Sequence, residues 1–248
     1  NSNKKNKTIA ITVDAYGDGR NQTVWKIENN EFELIASSNE CEIARLYRMV
    51  TLYLRMKPLE HEFKVMGLAP YAKDKYSERV VEVFKDLLTF DGLRVVHKDR
   101  PNDLFNFLNE KLKYFRFDNI AGGIQKYTEN ILNELFVKAS KELGINDFVF
   151  SGGVAMNVKV NKSIGDLDCV ESLFVAGSSS DESQSIGACY FANHEHDIDN
   201  KPLDNLYLGT EISKKEIQQY IDSNRLHEKY QISETNNEII AQLLADGE

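Results

Sequence analysis

Two aspartates of this sequence lie in short loops where chemistry is expected, and the first of them is Asp14. It ends the β-branched run of residues 8–13, and Gly17 and Asp18 follow it closely. A carboxylate at the end of a buried strand lies where α/β sheets bind ligands, and glycines let backbone amides approach an oxyanion. The alternative is a plain hairpin turn, because turns are also rich in Asp and Gly.

The second acidic loop contains Asp181, which follows the small residues 177–180 and precedes a helical pattern. Free amide groups and a carboxylate at the start of one helix suit a phosphate or a metal ion. Ordinary N-capping of that helix by Asp or Ser is the competing interpretation.

The third loop is the double glycine Gly152-Gly153, which follows the apolar run of residues 148–150. A turn without Cβ atoms lets flat or charged groups of a ligand touch the backbone, although a structural turn has the same composition. Because parallel strands end at one edge of a sheet, we expect the three loops to open side by side. Two carboxylates and an amide-lined cleft predict a metal–nucleotide site.

Composition limits the other classes of function. The 248 residues are 42% hydrophobic, which allows a substantial core, and the net charge of -9 argues against a broad nucleic-acid face. The three cysteines are scattered along the sequence, which is typical of a protein in a reducing compartment. Their spacing also argues against a zinc knuckle. No apolar run approaches the roughly 20 residues of a membrane span. We therefore predict a cytoplasmic protein that binds neither nucleic acid nor membrane.

Hydrophobic periodicity predicts an α/β fold. Three consecutive strands are expected first, with a hairpin turn at Asn29-Asn30, over residues 8–14, 22–27 and 31–37. Helical spacing of the apolar residues follows over residues 42–54 and 77–88. It continues almost without interruption over 102–143, and Gly144 directly after this range is a helix stop signal. Strands at 148–150 and 172–176 then alternate with helices at 154–161 and 183–192. This alternation predicts parallel strand pairing.

The last part of the chain has a different character. Residues 194–205 are polar and contain Pro202, which is typical of a linker. Beyond it we expect helices over 212–221 and 236–244, with a short extended piece at 229–232. His194 and His196 could chelate a metal, but a solvated charge cluster is the alternative. Residue 1 is Asn and a helical pattern has just ended at Gly247, so we expect a piece of a longer protein.

Three segments resemble, in order, the motifs of the NodU/CmcH family of O-carbamoyltransferases. They are EFKVMGLAPYAK at 62–73, FVFSGGVAMNVKVN at 148–161 and VAGSSSDESQSIGACYFA at 175–192. The first is close to a signature of that family, and the other two also occur, more loosely, in sugar kinases, heat-shock chaperones and actin. The resemblance runs from about Ile9 to the end of the chain.

The resemblance implies a fold class and a domain organisation. The expected fold is α/β, the second half of a kinase/heat-shock-chaperone/actin-like (RNase H-like) domain plus the start of a YrdC-like α+β domain. The implied ranges are 1–193 for the carbamoyltransferase kinase-like domain without its N-terminal half, 194–205 for the linker and 206–248 for the beginning of the YrdC-like domain.

The resemblance also implies an activity. Carbamoyl phosphate and ATP, accompanied by Mg, would give carbamoyl-adenylate, and the carbamoyl group would then pass to the hydroxyl of a small molecule or glycan at a mononuclear iron site. The iron would polarise the carbamoyl carbonyl as a Lewis acid.

Site residues follow from the same resemblance. By position, the metal ligands would be Asp14 and Asp181, completed by two histidines outside this chain. The adenylate would be lined by Gly152, Gly153 and Asn157, with Gly17 and Asp18 near its phosphate.

Two other functions remain open from the sequence. The chain could belong to an ATPase or phosphotransferase of the sugar-kinase superfamily, or it could be a non-catalytic scaffold. The segment KVMGLAPY at 64–71 favours the carbamoyltransferase, because we do not expect it in sugar kinases. We expect the isolated chain to be catalytically inert, and the resemblance leaves a homodimer open.

Overall fold

A computed structural model describes residues 7–203, 205–207 and 209–247. The chain divides into two compact units, residues 1–200 and 201–248. The predicted linker at 194–205 spans this division, and the assignment of the units to named domains stays a prediction. No helix in the described ranges is both long enough and apolar enough to cross a membrane.

The first unit is built on a mixed five-stranded sheet. Its strands are β1 (Lys7–Gly17), β2 (Arg20–Glu28), β3 (Glu31–Ser38), β6 (Asp147–Ser151) and β7 (Ser172–Val175), in the spatial order β3-β2-β1-β6-β7. β1 pairs antiparallel with β2, and β2 with β3, whereas the β1–β6 and β6–β7 pairs are parallel. The three opening strands and the parallel pairing of the later ones are confirmed. A mixed α/β fold is therefore present.

Seven α-helices belong to the described part of the first unit. They are α1 (Ile43–Tyr53), α2 (Glu62–Leu68), α3 (Asp74–Phe84), α4 (Leu104–Leu112), α5 (Phe117–Leu143), α6 (Val158–Gly165) and α7 (Glu182–Glu195). The longest, α5, ends where the sequence predicts, because Gly144 adopts a left-handed conformation with φ 64° and its amide bonds the carbonyl of Ser140.

The core lies between the sheet and α5. In β1, the residues Ile9, Ile11 and Val13 are fully buried and alternate with partly exposed ones, so one face of the strand carries the core. On α5, the ring of Phe136 lies 4.9 Å from that of Phe148 and 5.4 Å from that of Phe150. These aromatic contacts join β6 to the helix beneath it.

A small hairpin replaces the end of the helix predicted at 77–88. α3 stops at Phe84, and the segment that follows forms β4 (Leu88–Asp91) and β5 (Arg94–His97) around Gly92, whose φ is 58°. The predicted helix boundary is therefore wrong at its C-terminal end. A residue with positive φ suits a hairpin turn and not a helix.

Buried polar side chains of the main sheet hold this hairpin. Gln22 donates from Nε2 to the carbonyl of Leu93 at 2.9 Å and accepts from the amide of Val95 at 3.1 Å. Ser38 donates from Oγ to the carbonyl of Val95 at 2.6 Å. Together the two side chains satisfy both backbone groups of Val95, much as a neighbouring strand would.

The hairpin turn predicted between β2 and β3 is confirmed. Asn29 and Asn30 have φ angles of 54° and 66°. Two successive positive φ angles are the mark of a type I′ turn, which matches the twist of the flanking strands.

The second unit contains two described α-helices, α8 (Lys214–Ser223) and α9 (Asn237–Asp246). α8 begins with a capping box, in which Ser213 accepts from the amide of Glu216 and the Glu216 carboxylate accepts in return. The extended piece expected at 229–232 pairs with no strand in the described part of this unit.

Candidate functional site

The loops that follow β1, β6 and β7 line one cavity at the edge of the sheet. Its volume is about 570 Å³, and its lining includes the predicted residues Asp14, Gly17, Asp18 and Gly152. Because the three strands run parallel, their carboxyl ends meet at this edge. The structure thus brings the first and third predicted loops together.

Charge in this cavity is mixed, with a small acidic excess. Two carboxylates, of Asp14 and Asp18, face one guanidinium, of Arg20. Its polar lining also includes Thr23, whose Oγ1 lies 2.6 Å from that of Thr12. A cation bound beside the two carboxylates would offset their repulsion of a phosphate.

Gly152 is the residue that shapes the turn after β6. Its φ of 96° and ψ of 166° belong to a region that only glycine adopts readily. A Cβ atom at this position would lie 2.3 Å from the carbonyl oxygen of Val13 in β1. The close approach of the two backbones therefore requires glycine.

Gly153 leaves room for a carboxylate. A Cβ atom there would lie 3.0 Å from Oδ1 of Asp14. The same oxygen accepts a hydrogen bond from the amide of Ala15 at 2.6 Å, which fixes the side chain beside the turn. Asp14 and the double glycine are consequently one structural unit.

Asp181 lies at the N-terminus of α7 but caps it with no side-chain hydrogen bond. Its Oδ1 accepts weakly from Nε2 of Gln184 at 3.4 Å. Its neighbours Ser180 and Ser183 line the cavity, whereas Asp181 is absent from the lining. The loop therefore reaches the cavity through its serines, and the Asp181 carboxylate does not line it.

The residues present do not by themselves complete a metal site. Across residues 7–203, 205–207 and 209–247, no group of three or more His, Cys, Asp or Glu side chains is placed to hold a metal ion. Asp14 and Asp181 could contribute two carboxylate ligands at most. His194 instead packs its ring 6.3 Å from that of Phe32, in an edge-to-face contact.

A second, mainly apolar cavity lies on the other side of the double glycine. Its volume is about 150 Å³, and its lining includes Gly153, Val154, Met156, Asn157 and Tyr47. Gly152 lines the first cavity and Gly153 the second, so the turn separates a polar space from an apolar one.

The side chain of Asn157, which lines the apolar cavity, is held by hydrogen bonds within the protein. Its Oδ1 caps α6 by accepting from the amide of Val160 at 3.1 Å. Its Nδ2 donates to Oε1 of Gln125 at 2.8 Å, and Oδ1 accepts from Nε2 of Gln125 at 3.2 Å. The side chain is therefore held in place before any ligand arrives.

Tyr47 extends the same network. Its hydroxyl donates to Oε1 of Gln125 at 2.9 Å. Burial raises the pKa of the Tyr47 phenol well above its usual range, with a further rise from the charge of Glu129. The phenol consequently stays protonated and remains a hydrogen-bond donor in this cavity wall.

The first of the three family motifs, at 62–73, also reaches this apolar cavity. Residues 62–68 form α2, and Glu62, Phe63 and Met66 line the apolar cavity. Phe63 is 61% exposed although it is a large apolar side chain. An exposed aromatic side chain at a cavity rim is available to a ligand.

Several cavity residues were not found from the sequence. Arg20, Trp25 and Ser179 line the polar cavity. Arg20 and Trp25 belong to no recognisable pattern, whereas Ser179 lies in the third family motif, where the serines at 178–180 predict only a run of small residues.

Comparison with known protein families gives a match over most of the chain. A family described as Carbamoyltransferase N-terminus matches residues 3–190 of this sequence. The chain belongs to this carbamoyltransferase family. The resemblance proposed from the three motifs is thereby confirmed at the level of the family.

Relatives of this carbamoyltransferase chain come from bacteria and archaea. An uncharacterized protein of Methanocaldococcus jannaschii is 28% identical over 251 residues, covering 97% of this chain and 48% of the relative. The nodulation protein NolO of Bradyrhizobium diazoefficiens is 27% identical over 218 residues, covering 85% and 39%. A tRNA N6-adenosine threonylcarbamoyltransferase of Mycoplasma capricolum is 28% identical over 139 residues, covering 54% and 41%. The chain therefore spans less than half the length of each of these relatives.

Proposed function

We propose that this chain forms the nucleotide-binding part of an O-carbamoyltransferase. The observation that carries the proposal is the double-glycine turn between a polar cavity and an apolar cavity, in a chain of the carbamoyltransferase family. The phosphate of an adenylate would lie in the polar cavity near Gly17, Asp18 and Gly152. Its base would lie in the apolar cavity beside Gly153 and Asn157.

The overall reaction has carbamoyl phosphate and ATP as donors and a hydroxyl group of a small molecule or glycan as acceptor. In the transfer step, the acceptor hydroxyl loses its proton to the solvent, its oxygen forms a bond to the carbamoyl carbon, and the bond from that carbon to the adenylate phosphate oxygen breaks. AMP is the leaving group. The named relative that acts in threonylcarbamoyl transfer supports the general class of chemistry.

The metal ions belong to the proposal as well. Asp14 and Asp181 are proposed as two of the iron ligands, with further ligands from outside the described residues, and Mg would accompany ATP. The acidic excess of the polar cavity supports a cation there, because a phosphate would otherwise meet two carboxylates.

The test is the product formed from ATP. We expect the full-length protein, given ATP, Mg, iron and carbamoyl phosphate, to form AMP only when carbamoyl phosphate is present. Formation of ADP would assign the protein to the phosphotransferases or ATPases. Absence of any carbamoyl-dependent conversion would contradict the proposal.

A further inference from the structure

The hydroxyl group of Ser179 is buried and has no partner. The residue is 1% exposed, and its Oγ makes no hydrogen bond to any described residue. Ser179 nevertheless lines the polar cavity. Buried hydroxyl groups are nearly always hydrogen-bonded in folded proteins, so an exception beside a cavity points to a partner that enters from it.

Two nearby serines do have internal partners for their hydroxyl groups. Ser178 donates from Oγ to the carboxylate of Glu182 at 3.0 Å, and Ser183 donates from Oγ to the carbonyl of Ser180 at 2.9 Å. Ser179 is also the most buried of the three. The loop could satisfy its hydroxyl groups locally, and at Ser179 it does not.

The backbone of Ser179 is held in place while its hydroxyl is left open. Its carbonyl accepts from the amide of Gly152 at 2.8 Å and from Oγ of Ser151 at 3.3 Å. Both of those residues line the same cavity. The hydroxyl is therefore fixed close to the turn where the proposed nucleotide contacts the backbone.

We propose that Ser179 binds a phosphate group of the nucleotide by donating its hydroxyl hydrogen to a phosphate oxygen. This inference rests on the proposed function, and it names a ligand-contacting residue for that site. The charged lining of the cavity consists of two carboxylates and one guanidinium, so an oxyanion there depends mainly on neutral donors. A neutral hydroxyl adds a donor without adding charge.

The experiment compares Ser179→Ala with Ser178→Ala in the full-length protein, using Mg-ATP and adenosine as probes in calorimetric titrations. We expect Ser179→Ala to bind Mg-ATP about tenfold more weakly, as for loss of a hydrogen bond to a charged group. Its affinity for adenosine should not change, because adenosine has no phosphate. Ser178→Ala should bind both probes as the wild-type protein does.

Thermal unfolding without nucleotide separates this from a structural role. Ser179→Ala should unfold at the same or a higher temperature than the wild-type protein, because it removes a buried hydroxyl that has no partner. A lower unfolding temperature, unchanged Mg-ATP affinity or an equal loss for adenosine would each overturn the inference. Binding of neither probe to the wild-type protein would overturn the proposed function with it.

Discussion

The amide of Gly152 lies 2.8 Å from the carbonyl oxygen of Ser179, and this hydrogen bond joins the loop after β6 to the loop after β7. A Cβ atom on Gly152 would also meet the backbone of Val13 in β1. One residue therefore sets the spacing of all three loops that line the polar cavity.

Gly152→Ala should destabilise the protein. The φ of 96° and ψ of 166° are strained for any residue with a side chain, at a cost of about 1–3 kcal/mol before the contact with Val13 is counted. Chemical denaturation monitored by circular dichroism would measure the loss. Gly165→Ala in α6 is the control, since a Cβ there would meet no described residue outside its own helix within 4 Å, and its stability should be unchanged or slightly higher. Equal stability of both variants would contradict the close approach.

Asp14→Asn should preserve the fold and reduce activity. The amide oxygen of Asn can still accept from the Ala15 amide, but the negative charge for a cation is lost. We expect the rate of carbamoyl-dependent AMP formation to fall at least about tenfold. Altering a group that only supports a metal ligand already lowers activity by about tenfold or more, and Asp14 is proposed as a ligand itself. Asp166→Asn is the matched control, because that exposed carboxylate pairs with Lys162 at 2.6 Å and lines neither cavity. An active Asp14→Asn variant would exclude a role for this charge.

Asn157→Ala should lower the free energy of unfolding by about 1 kcal/mol through loss of the α6 cap. Gln125 keeps partners in this variant, because Tyr47 and Glu129 also bond its amide. Asn157→Ser retains a capping hydroxyl but does not reach Gln125, so urea denaturation should show a smaller loss. Equal losses in the two variants would assign the stability to the Gln125 contact and not to the cap.

Cys41 should resist alkylation in the folded protein. Burial raises the pKa of its thiol from 9.0 to about 12, so the reactive thiolate is scarce at pH 8. With iodoacetamide and peptide mass spectrometry, the exposed Cys189 should be labelled first and Cys41 only after unfolding in urea. Labelling of both at the same rate in the folded protein would contradict this burial.

The raised pKa of Cys41 also determines how the free energy of unfolding changes with pH. The unfolded chain releases the Cys41 proton near pH 9, whereas the folded chain retains it to about pH 12. The unfolded state therefore binds fewer protons in this interval, and this group lowers the free energy of unfolding as pH rises through it.

Features with local causes were predictable from the sequence. The Asn29-Asn30 turn and the end of α5 at Gly144 each depend on a few neighbouring residues. The hairpin at 88–97 was missed because its anchors, Gln22 and Ser38, are distant in sequence from the residues they hold. The segment after the double glycine was predicted as one helix from 154, but it forms a single turn over Gly153–Met156 before α6 begins at Val158.

The candidate site was predictable in part, for a related reason. Sequence position places Asp14 and the double glycine at strand ends, and parallel pairing then brings them together. Asn157 lines a different cavity from Gly152 because of the direction in which the chain turns between them, and the sequence does not show that direction. The burial of Ser179 depends on how two loops pack, which no residue pattern records.

The hairpin of β4 and β5 is attached to the rest of the first unit by the buried residues Leu93 and Val95, which the Gln22 and Ser38 side chains bond. The amide of His97 adds a hydrogen bond to the carboxylate of Glu40. The hairpin tip at Asp91 and Gly92 makes no such contact, and a Cβ atom on Gly92 would meet nothing within 4 Å. This tip is accordingly a place where a reporter peptide or an affinity tag can be grafted while the buried anchors Leu93 and Val95 stay in place.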